Sequence, residues 1–229
     1  DSTPLFAELL VRSNALNSVH LREITVDFTD QQKTVLTGRY QIENALIQHQ
    51  LNKWQANGLI QLPASLGESI EFKANWLLNE QAPERTTWQW TVEANEVQLA
   101  PLQNNLVFQN VKVKQGRVNA VMTGNGIGAR LNQSQLTLAL NQGQLTSEQD
   151  QSEKLKPSVI IDQLSAQLDW QQHKVGWTLT VDELQLDMND KVWPKSSLKV
   201  VSQGEQLAVI GDFLRIEDII TILSLSEHL

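Results

Sequence analysis

Residues 167–194, QLDWQQHKVGWTLTVDELQLDMNDKVWP, place an apolar side chain at every second position. Leu168 and Trp170 come first, then Val175, Trp177, Leu179 and Val181, then Leu184, Leu186 and Met188. Asp, Gln, Thr and Asn fill the places between them. Successive side chains of a strand point to opposite faces, so this ribbon is apolar on one side and wet on the other. Such alternation marks antiparallel sheet with one face solvated. What the chain folds into therefore depends on what covers the apolar side.

The same pattern fills most of the chain. VHLREITVDFTD alternates through Val19 and Leu21, slips phase at Arg22–Glu23, and resumes at Ile24, Val26 and Phe28. Ile70, Phe72, Ala74 and Trp76 form one set, and Trp88, Trp90 and Val92 another, followed by Val97 and Leu99. Val111, Val113, Val118, Ala120 and Met122, then Leu136, Leu138 and Leu140, continue it, and two short strands flank Gly204. Further slips fall at Gln109–Asn110 and Asp182–Glu183. A slip of one residue would turn the apolar set onto the wrong face, and a β-bulge, which adds twist and curvature, is the usual repair. Turns are expected at Ala56-Asn57-Gly58, Gln115-Gly116, Gln142-Gly143 and Gln203-Gly204. Helical spacing predicts amphipathic helices over 1–18 and 212–229, the latter carrying Leu214, Ile216, Ile219, Ile220 and Leu223 on one broad face. The expected organisation is a single segment: sheet over 19–145, a polar loop over 146–157, and sheet over 158–211.

Two short helices cannot cover about ten strands. A second sheet, closure into a barrel, or an open trough filled by a ligand remain. The phase slips favour curvature. Strands of about 7–10 residues span roughly 25–35 Å, and their linings are aliphatic with scarcely a polar group. Exposing a 16-carbon tail to water costs about 12 kcal/mol at about 0.8 per methylene, so a greasy groove suits acyl chains without any catalytic residue. The candidate lining is Leu136, Leu138, Leu140, Leu168, Trp170, Trp177, Leu179, Leu184 and Leu186. The competing reading has these residues packed against one another in a closed core.

Composition narrows the function classes. A net charge of −8 over 229 residues argues against nucleic acid, which needs a clustered basic face, and against a polybasic grip on lipid headgroups. Absence of cysteine excludes disulfides, thiolate nucleophiles and Cys-ligated zinc. No apolar run approaches the length of a membrane-crossing helix. The start at Asp1 points to a processed protein or a piece of a longer chain. His20, His49, His173 and His228 stand at no metal-ligand spacing. GNGIG (124–128) lacks the spacing and context of a phosphate loop and reads as a hairpin or bulge. PASLG (63–67) lacks the first glycine and the following helix of a nucleophile elbow, which argues against a catalytic Ser65. DMND (187–190) lacks the glycine and terminal glutamate of a calcium loop and reads as a polar turn. Seven tryptophans stand in register with aliphatics, which favours core or groove lining over a sugar platform.

Five stretches together carry a family likeness: LREITVDFTDQQ (21–32), LPASLGESIEFKANW (62–76), WQWTVEANEVQLAPL (88–102), LSAQLDWQQHKVGWTLTVDELQLDMNDKVWP (164–194) and FLRIEDIITILSLS (213–226). In this order they resemble the periplasmic region of YhdP-type AsmA-like proteins. The resemblance implies an interior piece of a long bridge built of repeating β-grooves and anchored in the inner membrane of a Gram-negative cell. It further implies phospholipid acyl chains as cargo, delivery toward the outer membrane in support of its barrier, and contacts to both membranes through regions outside this chain. No enzymatic activity, cofactor or metal is expected. A non-transporting envelope scaffold that accepts a strand at its sheet edge is the alternative, and a sugar-binding sandwich comes third. Lipid conduction predicts a continuous open apolar trough, scaffolding a dry closed core, and sugar binding exposed tryptophans flanked by polar side chains.

Overall fold

The computed structural model describes residues 17–29, 37–102, 111–147, 158–204, 206–213 and 215. These residues form one sheet of twelve strands. In chain order they are β1 (Ser18–Phe28), β2 (Gly38–Gln50), β3 (Lys53–Gln61), β4 (Ser69–Leu77), β5 (Thr87–Gln98), β6 (Val111–Ile127), β7 (Arg130–Ser147), β8 (Ser158–Gln172), β9 (Trp177–Met188), β10 (Lys191–Val192), β11 (Ser196–Gln203) and β12 (Gln206–Gly211). Each strand pairs antiparallel with the next, save that the two-residue β10 folds back on β9, which also pairs β11. The sheet is open: among the described residues β1 and β12 are its edges and do not pair with each other. All substantial contacts between elements run between hydrogen-bonded neighbours, apart from the helical turn Leu99–Leu102 against β6. No described second layer covers the sheet.

The expected helix over 1–18 falls outside the described residues except at Asn17 and at Ser18, which opens β1. The one over 212–229 falls outside them except at Asp212, Phe213 and Arg215, which are not helical. Residues 148–157 of the predicted loop are likewise outside, and β7 and β8 on its two sides pair directly from Gln133↔Gln171 to Thr146↔Ser158.

Three of the four expected turns lie inside strands. Asn57 and Gly58 sit mid-strand in β3, and a Cβ on Gly58 would stand 2.7 Å from the Phe72 ring. That glycine makes room for an aromatic side chain and does not reverse the chain. Gln115-Gly116 and Gln142-Gly143 meet across β6 and β7 where the register shifts between Val113, Gln115 and Arg117. Only Gln203-Gly204 is a hairpin turn, with Gly204 at φ +62°. Val175, expected in the apolar set, lies exposed in the β8–β9 turn beside Gly176 (φ +90°).

The phase slips are bulges. Glu183 has φ +52°, and β9 shifts register there against both β8 and β11. Glu23 has φ +53°, at the point where β1 and β2 change phase together and β2 shifts against β3 between Ile42 and Asn44. The slip at Gln109–Asn110 lies outside the described residues. A further bulge, where the apolar set passes from Val92 to Val97, lies at Glu96 (φ +50°), where β5 gains a residue on β6 between Ala94 and Val97. Asn119 fills it: its Oδ1 accepts from the Glu96 backbone N–H at 2.9 Å and its Nδ2 donates to Glu96 Oε1 at 2.7 Å. Each bulge switches apolar residues from odd to even positions or back and so keeps them on one face. Asn119→Ala is expected to lower stability by about 1–2 kcal/mol, because both bonds go and a backbone donor loses its partner. Urea denaturation measures this; an unchanged midpoint would mean the bulge does not depend on that side chain.

Trp54 is buried at one end of the strands, and the main buried cluster lies at the other. Leu140, Val159, Ile161, Leu186, Met188 and Trp193 form it, with Leu99, Val118, Leu145 and Leu164 packed alongside.

Candidate functional site

Register turns the alternation into rows that run across the sheet. One row is Val19, Ile47, Ala56, Ala74, Trp90, Gly124, Ser134, Trp170, Leu179, Val200 and Val209, each opposite the next on the neighbouring strand. The adjacent row is Leu21, Ala45, Gly58, Phe72, Val92, Met122, Leu136, Leu168, Val181, Leu198 and Gly211. Each crosses all eleven strands of the main path. Neither holds a charge. The single hydroxyl, on the buried Ser134, donates to the Thr123 carbonyl at 3.0 Å. At about 4.8 Å per strand the rows run roughly 48 Å.

All nine predicted lining residues share this face. Leu136 aligns with Leu168, Leu140 with Leu164 and then Leu186, Trp170 with Leu179, and Leu138 with Ala166. Trp177 and Leu184 stand opposite Ser202 and Ser196 on β11. Leu140 and Leu186 belong to the buried cluster, while Leu136, Leu138, Leu168, Trp170, Trp177, Leu179 and Leu184 are half-buried. The structure thus brings the nine onto one surface and buries two of them against protein.

The nine candidates leave out the other half of the surface, and sequence reasoning read its glycines as turns or bulges. On β3 to β6 three aromatic rings lie over glycines on the strand beside them. Added Cβ atoms at Gly58, Gly124 and Gly126 would come within 2.7, 2.7 and 2.2 Å of the Phe72, Trp90 and Trp88 rings. Aromatic side chains laid across glycines restore the apolar contact a bare backbone lacks. The Trp88 indole N–H donates to the Gly128 carbonyl at 2.8 Å, and the His49 ring stacks on Trp54 at 4.4 Å. The signal was present in GNGIG: Gly124 and Gly126 lie two apart, as Trp90 and Trp88 do, on strands that pair them.

The opposite face is amide-rich. Gln48 donates to Gln55 at 2.6 Å and Gln55 to Asn75 at 3.0 Å. A cavity of about 570 Å³ opens on this side near the strand ends, lined by Lys53, Asn75, Leu77, Gln89 and Asn125 among others. It borders the apolar face at Trp76, Trp88 and Gly126, whereas the two rows themselves form a surface open along its length and not an enclosed hollow. On β8, Asp169 accepts from Gln133, Gln135 and Gln171 at 3.1, 2.8 and 2.9 Å. Partial burial pushes its carboxyl upward, but the three amides outweigh that and hold it below the ordinary carboxylate range. A depressed carboxyl stabilises the fold above its unfolded pKa and loses that contribution as pH falls through the folded value. Asp169→Asn should therefore lower Tm near neutral pH, and the gap to the parent should close below about pH 4. A gap independent of pH would show that the charge is not what the amides hold.

Among the described residues no group of three His, Asp or Glu could hold a metal. His20 bonds Asn44 and Arg22 at 3.2 and 3.1 Å, and His173 bonds Thr178 at 3.0 Å; His228 lies outside the described residues. Ser65 is exposed in the β3–β4 turn. Asn189 and Asp190, at φ +50° and +61°, make the two-residue turn that closes β9 on β10, as primed hairpin turns require. Among the described residues no helix is long and apolar enough to cross a membrane.

The family described as "YhdP protein" matches residues 3–229 of the chain. No curated protein and no solved structure matches it.

Proposed function

The chain belongs to the YhdP family, and from that premise we propose that it is a lipid-conducting segment whose apolar rows hold phospholipid acyl chains in transit. The family is one of Gram-negative envelope proteins and is not a known enzyme family. In this reading the segment is periplasmic and part of an inner-membrane-anchored bridge. Other repeats of the same protein continue the path toward the outer membrane and its permeability barrier. The observation that carries the reading is the pair of uncharged rows crossing the eleven strands of the open sheet's main path. A tail moving along them gains up to about 0.8 kcal/mol for each methylene kept from water. Headgroups stay in solvent, and the chain supplies no catalytic step.

Native mass spectrometry of protein purified without detergent from a bacterial envelope, with organic extraction, tests this. Stoichiometric phospholipid is the expected result. A lipid-free, cooperatively unfolding protein would overturn it and favour the envelope scaffold. One observation speaks for that second reading: among the described residues β12 is an unpaired edge with Leu207, Val209 and Ile210 all exposed, a surface that suits addition of a partner strand.

A further inference from the structure

Six of the seven tryptophans sit at one end of the strands. Trp54, Trp76, Trp88 and Trp177 stand within one residue of a strand terminus, and Trp90 and Trp170 within three. These termini belong to the β2–β3, β4–β5 and β8–β9 hairpins, which lie on the same side of the meander. The seventh, Trp193, lies at the other end, in the aliphatic cluster with Met188 and Val159; it is buried, as Trp54 is at the tryptophan end. Three polar side chains of the apolar face stand at the tryptophan end, while the buried Ser196, opposite Leu184, lies at the other. His49 stands opposite Trp54, Ser134 opposite Trp170, and Ser202 opposite Trp177. The apolar face is therefore graded across its width, from an aromatic rim to a buried, mainly aliphatic cluster.

Tryptophan is the side chain that collects where hydrocarbon meets headgroup, because its ring is apolar and its N–H wants a polar partner. Trp88 has that arrangement: its ring covers Gly126 and its N–H meets the hairpin carbonyl of Gly128. The width leaves room for a lipid lying across the strands. From Trp170 to Ile161 on β8 is about 30 Å at strand rise, against about 15 Å for the hydrocarbon of one leaflet. We infer that the hairpin end bearing the tryptophans is the headgroup side of the path, and that the tail ends of a two-chain glycerophospholipid point toward the Leu140–Met188 cluster. This rests on the lipid-conducting reading above.

Fluorine NMR of the full chain grown with 5-fluorotryptophan tests it. Seven resonances are expected, one per tryptophan, each assigned by a single Trp→Phe variant, so no heavily substituted protein is needed. The protein is loaded from vesicles of phosphatidylcholine carrying a nitroxide either on the headgroup or at the chain end. Trp88 and Trp177 should broaden at least threefold more with the headgroup label, and Trp193 should show the reverse preference. Equal broadening, or a reversed pattern, would overturn the orientation and leave lipid binding standing. No broadening from either label would overturn the lipid-conducting reading itself, and the orientation with it.

Discussion

Leu168→Asp is expected to cut retained phospholipid by roughly 100-fold while the sheet stays folded. Leu168 lies mid-row between Leu136 and Val181. It is half-buried with no described layer above it, so an aspartate there stays hydrated in the empty protein. It loses that water only when an acyl chain covers it. A carboxylate facing hydrocarbon costs about 3 kcal/mol, which is roughly two decades of affinity. Gln167→Asp, one residue away on the opposite face, should leave retention unchanged. Lipid extracted per mole of protein, read beside the urea midpoint, separates the two effects. Equal loss in both variants would mean that face does not matter, and an unchanged Leu168→Asp would mean that the row carries nothing.

Gly126→Ala is expected to destabilise the protein by about 3 kcal/mol, more than the same change at Gly124. A Cβ at 126 would stand 2.2 Å from the Arg130 carbonyl oxygen and 2.2 Å from the Trp88 ring. The carbonyl belongs to the β6–β7 hairpin, whose last pair is Ile127↔Arg130. The ring is held by its bond to Gly128. Overpacking of this kind costs about 1–3 kcal/mol, and a displaced indole loses about 1 more. At Gly124 the three nearest atoms all belong to the Trp90 ring, at 2.7–2.9 Å, and a ring can tilt. Thermal or urea unfolding of the two variants gives the order directly. Equal, small losses would show that the rings do not lie on the glycines.

Much of this fold is legible in the sequence because one physical rule, period-two alternation, operates from Val19 to Val209. It marks Leu136, Leu138, Leu168 and Leu179 as one surface, and the slips at Glu23 and Glu183 as bulges. It reads less where several rules act together. β2 changes phase at the point where it bulges against β3, and β3 carries Asn57-Gly58 in its middle, so neither shows clean alternation. A glycine beneath an aromatic ring and a glycine in a turn look alike until strand pairing is known, as Gly58 and Gly124 show. The fate of Leu140 and Leu186 was not legible either. Whether a face residue lines a path or closes one end of it depends on Val159, Met188 and Trp193, which come from two strands and a loop that only register brings together.

The most direct test of the central claim is site-specific photocrosslinking in the envelope, with a benzophenone amino acid placed at consecutive positions of one strand. Leu136 and Leu138 face the apolar rows, and Gln135 and Thr137, alternating with them, face the other way. If acyl chains travel along the apolar face, radiolabelled phospholipid will attach at 136 and 138 and not at 135 and 137. Attachment at all four positions alike, or at none while neighbouring protein is captured at 136 and 138, would contradict it.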